Sequence, residues 1–177
     1  MRGKFVIGWT GTWANLEYLY AIEEVLGKFL RDHSDTELLI LADRPPRFQQ
    51  IPQEKVRFIP WRADREVAAL QDMDVGLMPL PDTEWTRGKC SFKMLQYMAT
   101  GIPVIASSVG MNAEVMVMDR LGLAAHAQQD WYSALDFFYE NRDESVNFGT
   151  RGRAVAERYF SRSVIAMKLA QIFKEIA

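Results

Sequence analysis

"DVGLMPLPDTEWTRGKCSFKMLQYMATGIPVIASS", residues 74–108, reads as a strand, a loop, a helix and a second strand. "DVGLMPL" (74–80) and "PVIASS" (103–108) are short, continuous apolar runs, the pattern of strands buried on both faces. Between them "KCSFKMLQYMAT" (89–100) has helical period and stops at Gly101. Buried strands joined through a helix point to a parallel sheet covered on both faces.

The alternation continues in both directions. Upstream, "KFVIGW" (4–9) reads as a strand and "TGT" (10–12) as a tight turn. "ANLEYLYAIEEVLGKFLRDH" (14–33) then reads as one helix striped by Leu16, Leu19, Ile22, Val25 and Leu26. "ELLILAD" (37–43) is a second strand, residues 44–55 a proline-rich loop, and "VRFIPW" (56–61) a third strand. "REVAALQDM" (65–73) is a helix with Asp64 as its cap. Downstream, "NAEVMVMDR" (112–120) is a short helix and "GLAAHA" (122–127) a sixth strand. Only helices follow: 130–142, 145–160, and a last one from Ser163 to the end. The expected architecture is α/β: a doubly wound, Rossmann-like parallel sheet of about six strands, helices on both faces and a helical C-terminal end, one lobe over 1–177.

The 177 residues are 49% apolar and 25% charged, the mix of one soluble domain with a real core. A formal net charge of −2 excludes the broad basic surface that nucleic acid or an anionic membrane attracts. The single cysteine, Cys90, excludes an intramolecular disulfide and a cysteine metal cluster, and suits a reducing, cytoplasmic setting. No apolar run approaches the roughly 20 residues of a membrane span. The opening "MRGKFVIGWTG" leaves no room for a signal peptide. No HExxH, paired histidines or carboxylate cluster supports a metal, so no metal or other cofactor is expected. "GWTG" does not match the glycine fingerprint of a dinucleotide-binding turn.

In such sheets ligands sit beyond the C-terminal strand ends. That edge would carry Thr10–Thr12, Trp61 and Arg62, Asp82–Ser91, and Ser107–Asn112. Steps of about 100° per residue put Lys89, Lys93, Gln96 and Thr100 in one sector of the helix, and Phe92, Leu95, Met98 and Ala99 on a side that packs on the sheet. Two lysines on an exposed helix face ordinarily serve solubility. Here they stand at a helix start, where N–H groups lack partners, beside Gly88 and Arg87, which describes a phosphate seat. Its candidate ligands are Thr10, Gly11, Thr12, Arg87, Gly88, Lys89, Ser91 and Lys93. Trp61 either stacks on a base with Arg62 beside it or plugs the sheet edge. Trp85 lines a pocket or meets another lobe. His33 reads as solvated and His126 as structural.

The succession "VRFIPW", "AALQDMDVGLMPL", "KCSFKMLQYMATGIPVIASSVGMNAEVM", "GLAAHA" and "WYSALDFFYENRDESVNFGTRGRAVAERYF" resembles the C-terminal lobe of GT-B fold glycosyltransferases, in particular glycosyltransferase family four (group 1). The most specific part is "FKMLQYMATGIPVIAS". The resemblance implies a lobe that binds a nucleotide-diphosphate-sugar donor in the cytoplasm for glycan biosynthesis, with the acceptor lobe N-terminal to it and absent here. It also allows peripheral membrane association of the full enzyme. By position, residues 89–92 would face the donor phosphates and Gln96 would stand where many members hold ribose with a glutamate. Gly88 falls where many have a sugar-contacting glutamate, so sugar contact would pass to Asp82, Thr83 or Glu84. The isolated lobe is expected to bind donor without turnover. An apolar patch around Trp9, Trp13 and Trp85 should mark where the missing lobe rests. A same-fold nucleotide-sugar epimerase and a degenerate interaction module are the alternatives, separable by product analysis and by titration with nucleotides.

Overall fold

The computed structural model describes residues 3–176. The outer limits of the expected 1–177 lobe, including the end of its last helix, therefore lie outside the described residues. Six parallel strands form one sheet: β1 (Phe5–Gly11), β2 (Thr36–Ala42), β3 (Val56–Pro60), β4 (Val75–Met78), β5 (Val104–Ala106) and β6 (Gly122–Ala124). Their spatial order is β3-β2-β1-β4-β5-β6, with every neighbouring pair parallel. The chain winds outward from β1 to β3, then returns to lay β4 on the other side of β1. That reversal opens a crevice at the C-terminal ends of β1 and β4.

The helices are α1 (Leu16–Tyr20), α2 (Glu23–Asp32), α3 (Glu66–Gln71), α4 (Glu84–Arg87), α5 (Phe92–Ala99), α6 (Met111–Met116), α7 (Gln128–Glu140), α8 (Arg142–Val155) and α9 (Arg162–Glu175). Continuous apolar strands bury both faces, and their period-2 alternation sorts side chains into two cores. Phe5, Ile7, Leu38, Ile40, Val75 and Ile105 join α1, α2 and α7 on one side. Val6, Leu39, Leu41, Val104 and Ala106 join α3, α5 and α6 on the other. The doubly wound sheet expected from the sequence is the sheet observed.

Several local expectations are corrected. β1 runs through Thr10 and Gly11, so no turn begins at Thr10; a 3₁₀ turn follows at Trp13–Asn15. The helix expected over 14–33 is broken at Ala21–Ile22. There Glu23 is buried and accepts from the backbone amides of Gln49 and Gln50, tying the proline-rich loop to the start of α2. Asp64 does not cap α3: it pairs with Arg62 at 2.9 Å, and Arg65 occupies the cap position. The loop 81–88 contains α4, closed by a Thr83–Thr86 capping box. α8 ends in a π-helical turn, Ala156–Phe160, and α9 buries no residue.

The helix expected from Lys89 starts at Phe92. Ser91 before it is left-handed, with φ 53°, so Lys89 and Cys90 lie in a turn and the two lysines are not successive rungs of one helix face. Of the side expected to pack on the sheet, Met98 is buried and Leu95 packs against the core, whereas Phe92 and Ala99 are exposed. Met94, Tyr97 and Met98 face the sheet, whereas Phe92 is 63% exposed. Gly76 of β4 makes room for Tyr97: a Cβ there would lie 2.5 Å from its ring atoms. The phenol crosses under the crevice, accepting from the Thr10 amide at 3.0 Å and donating to the Leu77 carbonyl at 3.2 Å. Burial pushes its pKa up, holding it as a neutral bridge between β1 and β4.

Candidate functional site

A cleft of about 590 Å³ occupies the crevice at the ends of β1 and β4. Nine of the residues singled out in the sequence line it: Thr10, Gly11, Thr12, Trp61, Gly88, Lys89, Ser91, Lys93 and Gln96. They come from three separate stretches of chain. The β1 end supplies the first three, the β3–α3 turn supplies Trp61, and the α4–α5 turn with the first half of α5 supplies the rest.

Lys93 is the cationic centre of the cleft. Its amine lies 5.6 Å from the centroid of the Trp9 ring, and its stem passes over Gly11, where a Cβ would come within 2.7 Å of Cε. It has no acidic partner among the described residues. Burial, then the charge of Lys89, lowers its pKa from 10.5 to about 8, while Cys90 acts weakly the other way. Lys89 reaches Asn15 Oδ1 at 3.3 Å and lies between the rings of Tyr18 and Trp85, at 5.2 and 5.9 Å. Two cations with no carboxylate between them, beside the opening turn of α5, have the chemistry to neutralise an anion.

The turn that presents them is anchored from behind. Ser91 is buried and donates to Asn112 Oδ1 at 2.5 Å, Asn112 donates to the Ser107 carbonyl at 3.1 Å, and Ser107 Oγ accepts from the Leu80 amide at 3.0 Å. This network fixes a strained backbone where α5 meets the cleft. The Ser91 hydroxyl is therefore engaged inward, and only its backbone is left for a ligand. At Gly88 a Cβ would meet nothing nearer than the Trp85 carbonyl oxygen at 3.6 Å, so the glycine leaves that wall of the cleft open.

The structure does not bring every candidate together. Arg87 is turned away and held by Asp82 in a two-pronged pair at 2.6 and 3.1 Å, which raises the arginine's pKa and lowers the aspartate's. Arg62 is held by Asp64, and Thr83 is spent on the cap of α4. Glu84 lines an adjoining hollow with Trp85, Gly88 and Lys89. Trp9 is buried beneath Lys93 and is not part of the expected outer patch; Trp13 and Trp85 are 51% and 76% exposed. Trp61 is exposed at the cleft rim and does not plug the sheet edge.

Sequence reasoning missed Glu66, Asn15 and Asp43, which also line the cleft. Asp43 Oδ1 accepts from the Trp13 amide at 2.6 Å, and Asn15 donates to Thr12 Oγ1 at 2.8 Å. Glu66 accepts from both Trp61 Nε1, at 2.8 Å, and Gln96 Nε2, at 2.9 Å. No local pattern marks Glu66 or Asn15, and Asp43, directly after β2, reads from the sequence only as a turn or cap residue; the winding of the sheet brings all three to one crevice. Among the described residues, no group of three or more histidine, cysteine or acidic side chains is placed to hold a metal, and no helix is long and apolar enough to cross a membrane.

Residues 4–141 match the family model described as "Glycosyl transferases group 1". No curated protein sequence matches the chain. Among solved structures, HepE of Anabaena in complex with UDP and glucose superposes with a TM-score of 0.77 at 16% identity, covering 98% of this chain and 49% of that one. The C-terminal domain of a group 1 glycosyl transferase (LpcC) from Francisella tularensis gives 0.69 at 18% identity, covering 92% of this chain and 89% of that one. Sucrose-phosphate synthase from Thermosynechococcus elongatus gives 0.72 at 16% identity, covering 98% and 45%. At these identities the likeness is one of fold, and the chain spans about half the length of the two longer proteins.

Proposed function

Since the chain belongs to the group 1 glycosyl transferases and has the fold of a GT-B C-terminal lobe, we propose that its cleft binds the nucleotide-diphosphate sugar from which that transfer draws. The observation that carries this is Lys93: a desolvated amine at the meeting of β1 and α5, with no carboxylate partner among the described residues and a second lysine beside it. A diphosphate would lie between Lys93, Lys89, the first-turn amides of α5 and the Thr10–Thr12 end of β1. Binding it restores to a buried cation the counter-charge it lacks. The nucleoside would extend toward Gln96 and Trp61, and the sugar toward Gly88 and the hollow where Glu84 stands. Arg87, Asp82 and Arg62 are left out of this assignment because their charges are already paired. The lysines supply the neutralising charge, so the proposal needs no metal. The UDP bound by HepE supports the same class of ligand.

Transfer itself requires an acceptor aligned with the sugar in a closed, partly dry cleft. The proposed whole enzyme adds an acceptor lobe on the side of exposed Trp13 and Trp85. The 177-residue chain should bind donor and transfer no sugar. Calorimetric titration with UDP, GDP and ADP tests the site: at least one should bind, and Lys93→Ala should weaken it tenfold or more. Unchanged affinity in Lys93→Ala and Lys89→Ala would overturn the proposal.

A further inference from the structure

The cleft contains one arrangement that a phosphate does not use. Glu66 opens α3 and is half-buried at the wall facing Trp61 and Gln96. Its Oε1 accepts two N–H bonds, from Trp61 Nε1 at 2.8 Å and from Gln96 Nε2 at 2.9 Å. Two donors from two elements fix the plane of the carboxylate, and no arginine or lysine among the described residues pairs with it. Among the described residues, neither Glu66 Oε2 nor Gln96 Oε1 has a protein donor. The pair therefore presents acceptors in need of donors, held rigidly in a ligand-sized cleft.

Neighbouring oxygen acceptors, one carrying full negative charge, suit a pair of adjacent hydroxyls. They repel a phosphate, which belongs at the lysines. Asp43 also lines the cleft, but it is exposed and its Oδ1 already holds the Trp13 amide. A glutamate at position 96 would set two carboxylates in contact; glutamine there converts that contact into a hydrogen bond and leaves a single carboxylate in place.

We propose that Glu66, clamped by Trp61 and Gln96, is the residue that accepts hydrogen bonds from the vicinal diol of the nucleoside, and that it makes the site selective for ribonucleotides. This rests on the donor-site assignment above. The carboxylate comes from α3 and the amide from α5, so the two positions act as a matched pair whose roles can be exchanged.

The test measures affinities of UDP, GDP and ADP and of their 2′-deoxy counterparts for the 177-residue chain and three variants, each checked for native circular dichroism and cooperative melting. The wild-type protein should prefer the ribonucleotide at least tenfold, because a site built around a hydroxyl leaves acceptors unpaired when it is missing. Glu66→Gln should reduce that preference below threefold and weaken ribonucleotide binding. Exchanging the pair, Glu66→Gln with Gln96→Glu, should recover a preference of at least threefold. A preference undiminished in Glu66→Gln, or abolished instead by Asp43→Asn, would overturn the inference while leaving the donor site standing. Failure of all three ribonucleotides to bind the wild-type protein would overturn both.

Discussion

Lys93 should make donor binding take up a proton. Without ligand its pKa is about 8, against an ordinary 10.5, because burial disfavours the charged form and Lys89 adds to the effect. That difference corresponds to about 3 kcal/mol held against the ammonium in the folded protein. A base whose pKa is depressed on folding destabilises the native state fully below its folded pKa, and the penalty fades as pH rises toward the unfolded value. The window is therefore pH 8 to 10.5. A diphosphate seated beside the amine supplies the missing counter-charge and raises the pKa again. Above pH ~7.5 the ligand's own phosphates are already ionised, their last pKa being about 6. Calorimetry at pH 9 in buffers of different ionisation heat should then show uptake approaching one proton per ligand, and little at pH 7. Affinity should fall up to about tenfold per pH unit above 8. Lys93→Met keeps the packed stem and removes the charge. It should bind diphosphate at least tenfold more weakly at pH 7, show no uptake at pH 9, and unfold at higher denaturant than wild type at pH 7, the gain closing between pH 8 and 10.5. Equal uptake in wild type and Lys93→Met would refute the assignment.

Three other perturbations separate the scaffold from the seat. Gly76→Ala drives a methyl group into the Tyr97 ring, at 2.5 Å, and should cost about 1–3 kcal/mol in denaturant unfolding. Donor affinity should fall with it, because the Thr10 amide loses its phenol partner. Ser91→Ala leaves Asn112 Oδ1 without its buried donor and should cost about 1–3 kcal/mol. Ser91→Gly loses the same bond but relieves the left-handed backbone, so it should be measurably less damaging by the same melts. Removing divalent cations with EDTA should leave nucleotide affinity unchanged by calorimetry, since the lysines carry the neutralising charge.

The fold was legible because its signal is repeated: six apolar runs separated by segments of helical period admit few arrangements other than a parallel sheet covered on both faces. Element ends were less legible for reasons visible in particular residues. The sequence 14–33 keeps an unbroken apolar stripe, yet Glu23 is pulled into a tertiary bond with the Gln49 and Gln50 amides and the helix divides. "KCSFKMLQYMAT" begins with no strong N-cap signal before Ser91, and the buried Asn112 that holds Ser91 left-handed lies 21 residues away. Phe92, expected on the side that packs on the sheet, is instead exposed in the first turn of α5, while Met98 is buried as expected, beside Met94 and Tyr97.

The site divides along the same line. Lys89 and Lys93 could be found because a glycine, a helix start and basic residues adjoin in sequence, and a strand end lies close upstream. Glu66 could not, since its importance depends on α3 and α5 standing on the same face of the sheet and on an indole and an amide converging on one oxygen. Arg87 shows the opposite failure: it looked like a ligand from its neighbours, but Asp82 five residues earlier neutralises it. A charge is available for function only when the fold leaves it unpaired. By that criterion the groups proposed to hold a ligand are Lys93, Lys89 and Glu66, two cations toward the strand crossover and one carboxylate toward Trp61, while Asp43, also without an ion-pair partner among the described residues, lies exposed with its Oδ1 on the Trp13 amide. A ligand matching that polarity carries its negative charge and its hydroxyls on separate parts of one molecule, as a nucleoside diphosphate does. Reversing the polarity at one end, by Glu66→Lys, should therefore weaken nucleoside diphosphate binding more than it weakens inorganic pyrophosphate, which uses the lysine end alone. Equal losses for the two ligands in competition titrations would show that the cleft does not discriminate its two ends.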